Sequence, residues 1–167
     1  MYIKLDLTQN LLDHIRIINY NLGLTYGTDF IAQELEEAGL GCHPYHITLI
    51  GRIHNVFNSE IMLNEYIDQF KETCTNIKIK PTNQVKITNK GTVLWLIESH
   101  QVKLLGKYMY TDLNNSRVSN YCDSTYVHIT LGIIKTKELY NKIITMHDDL
   151  FNILDKEYGI ERVGWDY

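Results

Sequence analysis

The stretch Pro44-Tyr45-His46-Ile47-Thr48-Leu49-Ile50 has a close counterpart in Tyr126-Val127-His128-Ile129-Thr130-Leu131-Gly132, and both contain the tripeptide His-Ile-Thr. Because side chains alternate between the two faces of a strand, the His and the Thr of each tripeptide point the same way. The central Ile and its apolar neighbours point to the opposite side. Each stretch therefore predicts a strand with one imidazole and one hydroxyl on a polar face, backed by a core-facing apolar face.

The two tripeptides lie 82 residues apart, about half of the 167-residue chain, and a predicted helix follows each of them. This spacing predicts two related lobes that each contribute one strand to a shared cleft. The length is that of a single domain spanning residues 1–167. The expected fold class is α+β.

Periodicity and capping residues predict the remaining elements. Further strands are expected at residues 2–7, 77–80, 85–88, 92–97 and 158–165. Helices are expected at residues 9–21, 28–39, 101–113 and 137–154, and after the capping residue Ser59, where Met62, Tyr66 and Phe70 recur every four residues. Loops are expected at residues 23–27 and 114–125.

Composition and charge exclude several classes of function. The formal net charge of −4 argues against binding to duplex nucleic acid, which requires a basic surface. Three cysteines without CxxC spacing predict neither a disulfide framework nor a structural zinc site, and favour a reducing compartment. No apolar run approaches the roughly 18 residues that span a bilayer, so no membrane partner is expected. The predicted location is the cytoplasm.

Two His and two Thr on one polar face supply the parts for chemistry at phosphorus. Histidine titrates near neutrality, so one imidazole can take the proton of an attacking hydroxyl while the other protonates the leaving oxygen. Threonine hydroxyls can donate to the phosphoryl oxygens as negative charge develops. We therefore predict transesterification of a phosphodiester, or hydrolysis of a cyclic phosphate, without a metal or another cofactor.

The duplicated motif resembles the signature of the 2H phosphoesterase superfamily, in which two H-x-[ST] motifs are flanked by hydrophobic residues. The resemblance implies a bilobal fold in which two antiparallel sheets form a central cleft with helices on the outside. It also implies that His46 and His128 are the catalytic acid and base, and that Thr48 and Thr130 bind the phosphate. His46 is taken as the base and His128 as the acid.

The resemblance also implies a class of substrate. The expected activity is cleavage of short 2′,5′-linked oligonucleotides, such as 2′,5′-oligoadenylate, or of cyclic oligonucleotide messengers. The bias of the composition towards residues with A/T-rich codons favours a viral protein that silences antiviral signalling in the host cytoplasm. One alternative is RNA end processing by an RNA-ligase-like 2′,3′-cyclic phosphodiesterase. An alternative of another class is a protein that sequesters nucleotides without turnover.

Four further residues are candidates for substrate binding. Tyr126 shares the predicted face of His128, and Arg117 lies in the polar loop that leads to it. Trp165 offers an aromatic face for stacking on a base, although a hydrophobic plug at the chain end explains it equally well. Tyr26 lies in the predicted glycine-flanked loop.

Three other residues have a structural explanation or depend on the pairing of the strands. Tyr45 and Trp95 are expected in the core. Lys4 reaches the cleft only if the first strand lies beside a His-Ile-Thr strand, and is otherwise expected to be exposed.

Overall fold

The computed structural model describes residues 1–41, 43–113, 127–146 and 156–167. The described part of the chain has an α+β fold with two antiparallel sheets, which confirms the predicted class. The strands are β1 (Tyr2–Leu7), β2 (Phe30–Ala32), β3 (His46–Gly51), β4 (Lys80–Ile87), β5 (Thr92–Glu98), β6 (Val127–Ile134), β7 (Ile143–Thr145) and β8 (Ile160–Asp166). The α-helices are α1 (Gln9–Tyr26), α2 (Glu60–Asp68), α3 (Lys71–Thr75) and α4 (His100–Leu113).

Among the described residues, the smaller sheet has three strands in the order β3-β1-β8, so β1 is central and the first His-Ile-Thr strand lies at its side. Its apolar face carries Ile3 and Leu5 from β1, Ile47 and Leu49 from β3, and Val163 from β8, all of which are buried. The α1 helix contributes Leu11, Ile15, Ile18 and Leu22 to the same core. The predicted alternation of β1 and β3 is thus confirmed.

The larger sheet has five strands within the described part of the chain, in the order β2-β6-β5-β4-β7, and the second His-Ile-Thr strand lies next to the central strand β5. Trp95 on β5 is fully buried and donates its indole N–H to the carbonyl oxygen of Thr82 at 2.7 Å. Tyr45, just before β3, is also buried, and its hydroxyl accepts a bond from the Asn19 side chain at 2.6 Å. The expected core positions of both aromatic residues are confirmed.

The helix predicted at residues 28–39 is wrong. The chain forms a 3-10 turn at Gly27–Asp29, strand β2, and a second 3-10 turn at Glu36–Ala38. β2 pairs with β6, where Ala32 lies opposite Gly132. A methyl group at Gly132 would lie 2.1 Å from the carbonyl oxygen of Ile31, so glycine permits this close approach. Pairing with a distant strand has overridden local helix propensity.

The helix predicted at residues 137–154 is wrong over its first half. A 3-10 turn spans Lys137–Leu139, and strand β7 pairs with β4. Between them Asn141 has a φ of 64°, a left-handed conformation that interrupts a helix. Residues 147–155 lie outside the described part of the chain.

Other boundaries differ in smaller ways. Most of the predicted loop at residues 23–27 is the last turn of α1, which ends at Tyr26 and is followed by the capping residue Gly27 with a φ of 60°. The strands predicted at residues 77–80 and 85–88 are mainly one strand, β4, preceded by an isolated bridge between Ile79 and Tyr158.

The start of α2 follows the prediction, and its predicted apolar stripe is confirmed in part. The Ser59 hydroxyl caps the helix by accepting the Met62 N–H at 3.2 Å. Phe70, just after α2, is buried and Tyr66 packs against the core, whereas Met62 is exposed. The buried residues within α2 are Leu63 and Ile67.

None of the described helices is both long enough and apolar enough to cross a membrane.

Candidate active site

The first His-Ile-Thr strand presents its polar residues beside those of β1. His46 lies opposite Asp6, and Thr48 lies opposite Lys4, in the antiparallel register of β3 and β1. Because directly opposed residues share a face of the sheet, these four side chains form one polar patch. His46 and Thr48 are both partly exposed, whereas the residues that alternate with them are buried. The predicted direction of the first motif is confirmed.

The imidazole of His46 is held in a defined tautomer and orientation. Its Nδ1 lies 2.6 Å from the carbonyl oxygen of Pro44. Since a carbonyl oxygen can only accept, Nδ1 carries the proton and Nε2 of the neutral ring has the free lone pair. The ring also stacks on Tyr2, with centroids 5.0 Å apart and planes inclined by 25°. His46 is therefore pre-oriented with Nε2 as its proton acceptor.

The second His-Ile-Thr strand lies deeper in the molecule. His128 is 8% exposed and pairs across the sheet with Leu96, while Thr130 is partly exposed and pairs with Leu94. The next strand places Lys86 opposite Leu94, so Lys86, Leu94 and Thr130 form one row on one face. Ile129 is buried on the opposite face.

The two motif strands belong to different sheets, yet they lie side by side. Cα atoms of β3 and β6 approach within 8 Å of one another. Protonation of His46 lowers the pKa of His128, which requires the two rings to lie within electrostatic reach. The structure thus brings together residues that are half a chain apart in sequence.

Burial keeps both histidines neutral at pH 7. Burial is the largest cause that lowers the pKa of His46. The Pro44 carbonyl opposes the shift, the charges of Lys4 and His43 add to it, and Asp6 opposes it. For His128, burial first, then His46 and Lys86, lower the pKa to about 4. An anion bound between the rings would favour protonation of one of them.

A network of charged side chains on the same face of the smaller sheet was not predicted from the sequence. The Asp6 carboxylate accepts from Lys4 at 2.9 Å and from Arg162 at 2.6 Å. Lys4 also lies 4.0 Å from Asp166, and Asp166 lies 3.5 Å from Nδ1 of His43. The period-2 alternation of residues 2–7 already placed Lys4 and Asp6 on one face. Only the strand order β3-β1-β8 shows that His46 lies on the same face of the sheet as Lys4 and Asp6.

The remaining candidate residues fall away from this site or outside the described residues. Trp165 pairs with Ile3 and so belongs to the opposite, helix-covered face, where its indole N–H donates to Asn64 at 2.8 Å. Tyr26 is the last residue of α1 and packs against the core rather than lying in a loop. Tyr126 and Arg117 lie outside the described part of the chain, with the rest of the predicted loop.

Within residues 1–41, 43–113, 127–146 and 156–167, no group of three or more His, Cys, Asp or Glu side chains is arranged to hold a metal ion. The side chains of the site carry imidazole and hydroxyl groups, together with a cluster of lysine and carboxylate groups. Such groups are suited to proton transfer and to the binding of anions.

No protein-family model matches the chain, and no curated protein is significantly similar to it in sequence.

Proposed function

We propose that the protein is a metal-independent phosphodiesterase that cleaves short 2′,5′-linked oligonucleotides or cyclic oligonucleotide messengers. The observation that carries this proposal is the adjacency of β3 and β6, which juxtaposes two His-x-Thr motifs from different sheets. In this proposal the two sheets are the lobes of a 2H-like fold, and the space between the motif strands is its substrate cleft.

The proposed reaction needs one base and one acid. Nε2 of His46 takes the proton of the ribose hydroxyl next to the phosphodiester, and the resulting alkoxide attacks phosphorus. The bond from phosphorus to the leaving oxygen breaks, and protonated His128 gives that oxygen its proton. The products are a 2′,3′-cyclic phosphate and a free hydroxyl, and the pair of histidines is left in the opposite protonation state.

The orientation of His46 supports its role as the base. A general base is effective when a third group fixes its tautomer, and the Pro44 carbonyl does this at 2.6 Å. The positive charge that His46 gains is stabilised by the same carbonyl and by the Asp6 carboxylate across the strand pair. His128 becomes a competent acid only when the substrate phosphate raises its pKa from about 4.

Thr48 and Thr130 have the second role in this mechanism. Each is partly exposed and shares a strand face with its histidine, one on each sheet. Their hydroxyls donate to the non-bridging oxygens from two sides, which orients the phosphate and stabilises the charge that builds on it. Destruction of a signalling oligonucleotide by this route would serve a viral antagonist of host defence.

The proposal is tested with purified protein, a chelator and a substrate panel. The panel contains 2′,5′-oligoadenylate, 3′,3′-cyclic dinucleotides, cyclic trinucleotides and nucleoside 2′,3′-cyclic phosphates, and products are identified by mass spectrometry. Cleavage of an oligonucleotide is expected, with a loss of about 10²- to 10⁴-fold in His46→Ala and His128→Ala. His100→Ala, which removes an exposed histidine, is the matched control.

Two results would contradict the proposal. One is that no member of the panel is cleaved with or without the chelator. The other is tight binding that yields no product and is unchanged in His46→Ala and His128→Ala, which would favour a nucleotide-sequestering protein. Cleavage of the 2′,3′-cyclic phosphates alone would favour RNA end processing.

A further inference from the structure

A cavity of about 550 Å³ lies along the outer edge of β8, between this strand and the helices α2 and α3. Consecutive residues Ile160–Trp165 line one wall, and Asn64 and Lys71 are among those that line the other. Among the described residues β8 pairs with β1 alone, so the backbone N–H and C=O groups of its outer edge are available to a ligand there. The volume lies within the range of small-molecule sites and is sufficient for a nucleoside.

The cavity adjoins the polar patch that contains His46. Lys4 and Asp6 belong to the wall of the cavity as well as to that patch. The strand register places Thr48, Lys4 and Gly164 in one row across the three strands, so the backbones at the two ends of the row are about 10 Å apart. A nucleoside attached to a phosphate at Thr48 can therefore extend along this row into the cavity.

Gly164 leaves an opening on this face of β8. Among the described residues, a methyl group added there would have only Oδ2 of Asp6 within 4 Å, at 3.9 Å. Gly164 does not have a positive φ, so its backbone conformation does not require glycine. The neighbouring residues on the same face of the strand, Arg162 and Asp166, both carry side chains. The missing side chain at Gly164 thus joins the polar patch to the cavity.

The charges that line the cavity are compensated, which favours a neutral ligand over an anion. Lys71 lies 2.8 Å from the carboxylate of Asp68, and Lys4 and Arg162 both donate to Asp6. The lining contains three basic and three acidic side chains, namely Lys4, Lys71, Arg162, Asp6, Asp68 and Glu161. The cavity therefore offers hydrogen-bond donors and acceptors without a net charge. The edges of a nucleobase carry donors and acceptors in the same way.

Asn64 is held in a defined orientation at this cavity. Its Oδ1 accepts the indole N–H of Trp165 at 2.8 Å. Because Oδ1 is the acceptor of that bond, the Nδ2 group supplies two N–H donors for a ligand. A carboxamide fixed in this way can distinguish between nucleobases by the acceptors on their edges.

Resting on the proposed function, we infer that this cavity binds the nucleoside that carries the attacking hydroxyl, with the Asn64 amide donating to its nucleobase. His46 is the proposed general base and belongs to the smaller sheet, so the ribose that it deprotonates lies on the side of that sheet. The leaving nucleoside then lies on the side of His128 and the larger sheet. Selectivity for the nucleobase is thereby set on the attacking side of the scissile phosphate.

The first experiment compares kcat/KM for a 2′,5′-linked adenosine dinucleotide with that for an analogue that lacks the nucleobase on the attacking nucleoside. The wild type should prefer the complete dinucleotide by about tenfold or more, the effect of one or two hydrogen bonds and the packing around them. Gly164→Val places in the opening a side chain that suits a strand, and it should abolish this preference. The ratio of the two kcat/KM values cancels a loss of active protein.

Two further variants serve as controls for Gly164→Val. Gly164→Ala fills less of the opening and should reduce the preference by a smaller factor. Gly159→Val lies just before β8 and outside the cavity, at a glycine where only Nζ of Lys78 is within 4 Å of an added methyl group, at 3.9 Å. It should leave the preference unchanged, and an equal loss in Gly159→Val and Gly164→Val would contradict a local effect at the cavity.

Asn64→Asp tests the contact with the nucleobase. The substitution keeps an oxygen that accepts the Trp165 N–H, and it removes the two N–H donors. The order of affinities for the 2′-monophosphates of adenosine, guanosine, cytidine and uridine should therefore change, whereas the thermal unfolding midpoint should change little. An unchanged order would refute the role of Asn64.

Binding to the inactive His46→Ala protein separates this inference from the proposed function. At least one nucleoside 2′-monophosphate should bind, and Gly164→Val in the same background should raise its Kd about tenfold. If no dinucleotide is cleaved but Gly164→Val weakens this binding, the proposed activity fails and the nucleoside site is supported. If dinucleotides are cleaved and Gly164→Val changes neither the preference nor the binding, the nucleoside site is refuted and the activity stands.

Discussion

The ring of Tyr2 stacks on the imidazole of His46, with the two centroids 5.0 Å apart and the planes within 25° of parallel. Tyr2 also meets His43 edge-on at 5.8 Å, so it fills the space between the two histidines. Burial first, then the charges of Asp166 and Asp6, raise the pKa of Tyr2 to about 12. The phenol is therefore neutral at any pH used for assay, and its ring restrains the orientation of His46.

Tyr2→Ala is expected to reduce kcat by about tenfold with a smaller effect on KM, because a stacked aromatic pair contributes about 0.5–1.5 kcal/mol to the position of the rings. Tyr2→Phe keeps the stack and is the control. The Tyr2 hydroxyl is buried and has no hydrogen-bond partner among the described residues, so its removal should not lower stability. Steady-state kinetics and thermal unfolding check both variants, and equal kcat values for Tyr2→Ala and wild type would contradict a positioning role.

The activity should be highest on the acidic side of neutrality. Catalysis needs one protonated and one neutral histidine, and in the free protein the pKa of His128 is about 4 while that of His46 lies below its usual 6.5. The productive form, with His46 neutral and His128 protonated, is a fixed fraction of the singly protonated pair. It is therefore lost as the pH rises through the higher of the two pKa values and also as it falls through the lower one. We expect a bell-shaped profile of kcat/KM with its maximum below pH 6.5. A profile that rises continuously to pH 8 would contradict the assignment of His46 and His128 as the base and the acid.

Asp6 connects the stability of the smaller sheet to the chemistry of His46. Its carboxylate accepts from the buried Lys4 and from Arg162. Asp6→Asn should lower the free energy of unfolding by about 3 kcal/mol, because it leaves the positive charge of Lys4 poorly compensated. Removal of the carboxylate also lowers the pKa of His46 further, so the alkaline limb of the kcat/KM profile should move to lower pH.

The matched control is Asp13→Asn, at an exposed carboxylate that pairs with Arg16 at 3.2 Å, and it should change stability by less than about 1 kcal/mol. Although burial raises the pKa of Asp6, hydrogen bonds from Arg162 and Lys4 lower it overall. A carboxylate with a depressed pKa stabilises the folded state above its unfolded pKa, and this contribution is lost as the pH falls through the folded value. Urea unfolding of the wild type and of Asp6→Asn at pH 7 and below pH 4 measures this contribution to the free energy of unfolding. If Asp6→Asn lowered the free energy equally at both pH values, the dependence on the ionised Asp6 carboxylate would be contradicted.

Gly132 and Gly23 should respond to alanine in opposite ways. A methyl group at Gly132 would meet the Ile31 carbonyl oxygen at 2.1 Å, so Gly132→Ala must displace β2 from β6 and should cost about 3 kcal/mol. Gly23 lies within α1 with nothing inside 4 Å of the added methyl, so Gly23→Ala should stabilise by about 0.5–1 kcal/mol. Unfolding in denaturant checks both, and a neutral Gly132→Ala would show that β2 is not held in this register.

The local sequence by itself determined the direction of the side chains in the two motif strands. A strand has a period of two, so His-Ile-Thr within an apolar stretch already sends Ile47 and Ile129 to the core and the His and Thr to the other face. It also determined the cap at Ser59 and the buried stripe of α4, where Val102, Leu105 and Met109 are buried as their helical spacing requires. These features depend on residues within one or two turns of one another.

The tertiary structure alone decided which elements meet. Residues 30–32 and 143–145 form strands because they pair with the edge of β6 and the edge of β4. The helix propensity of the local sequence does not outweigh the hydrogen bonds of that pairing. The order β3-β1-β8 likewise places Asp6 and Arg162 on the face of His46, and moves Trp165 to the opposite face. A two-residue repeat specifies on which side of its own strand a residue lies. Strand order and register depend on pairings between distant segments, and these assemble the site around His46 and His128.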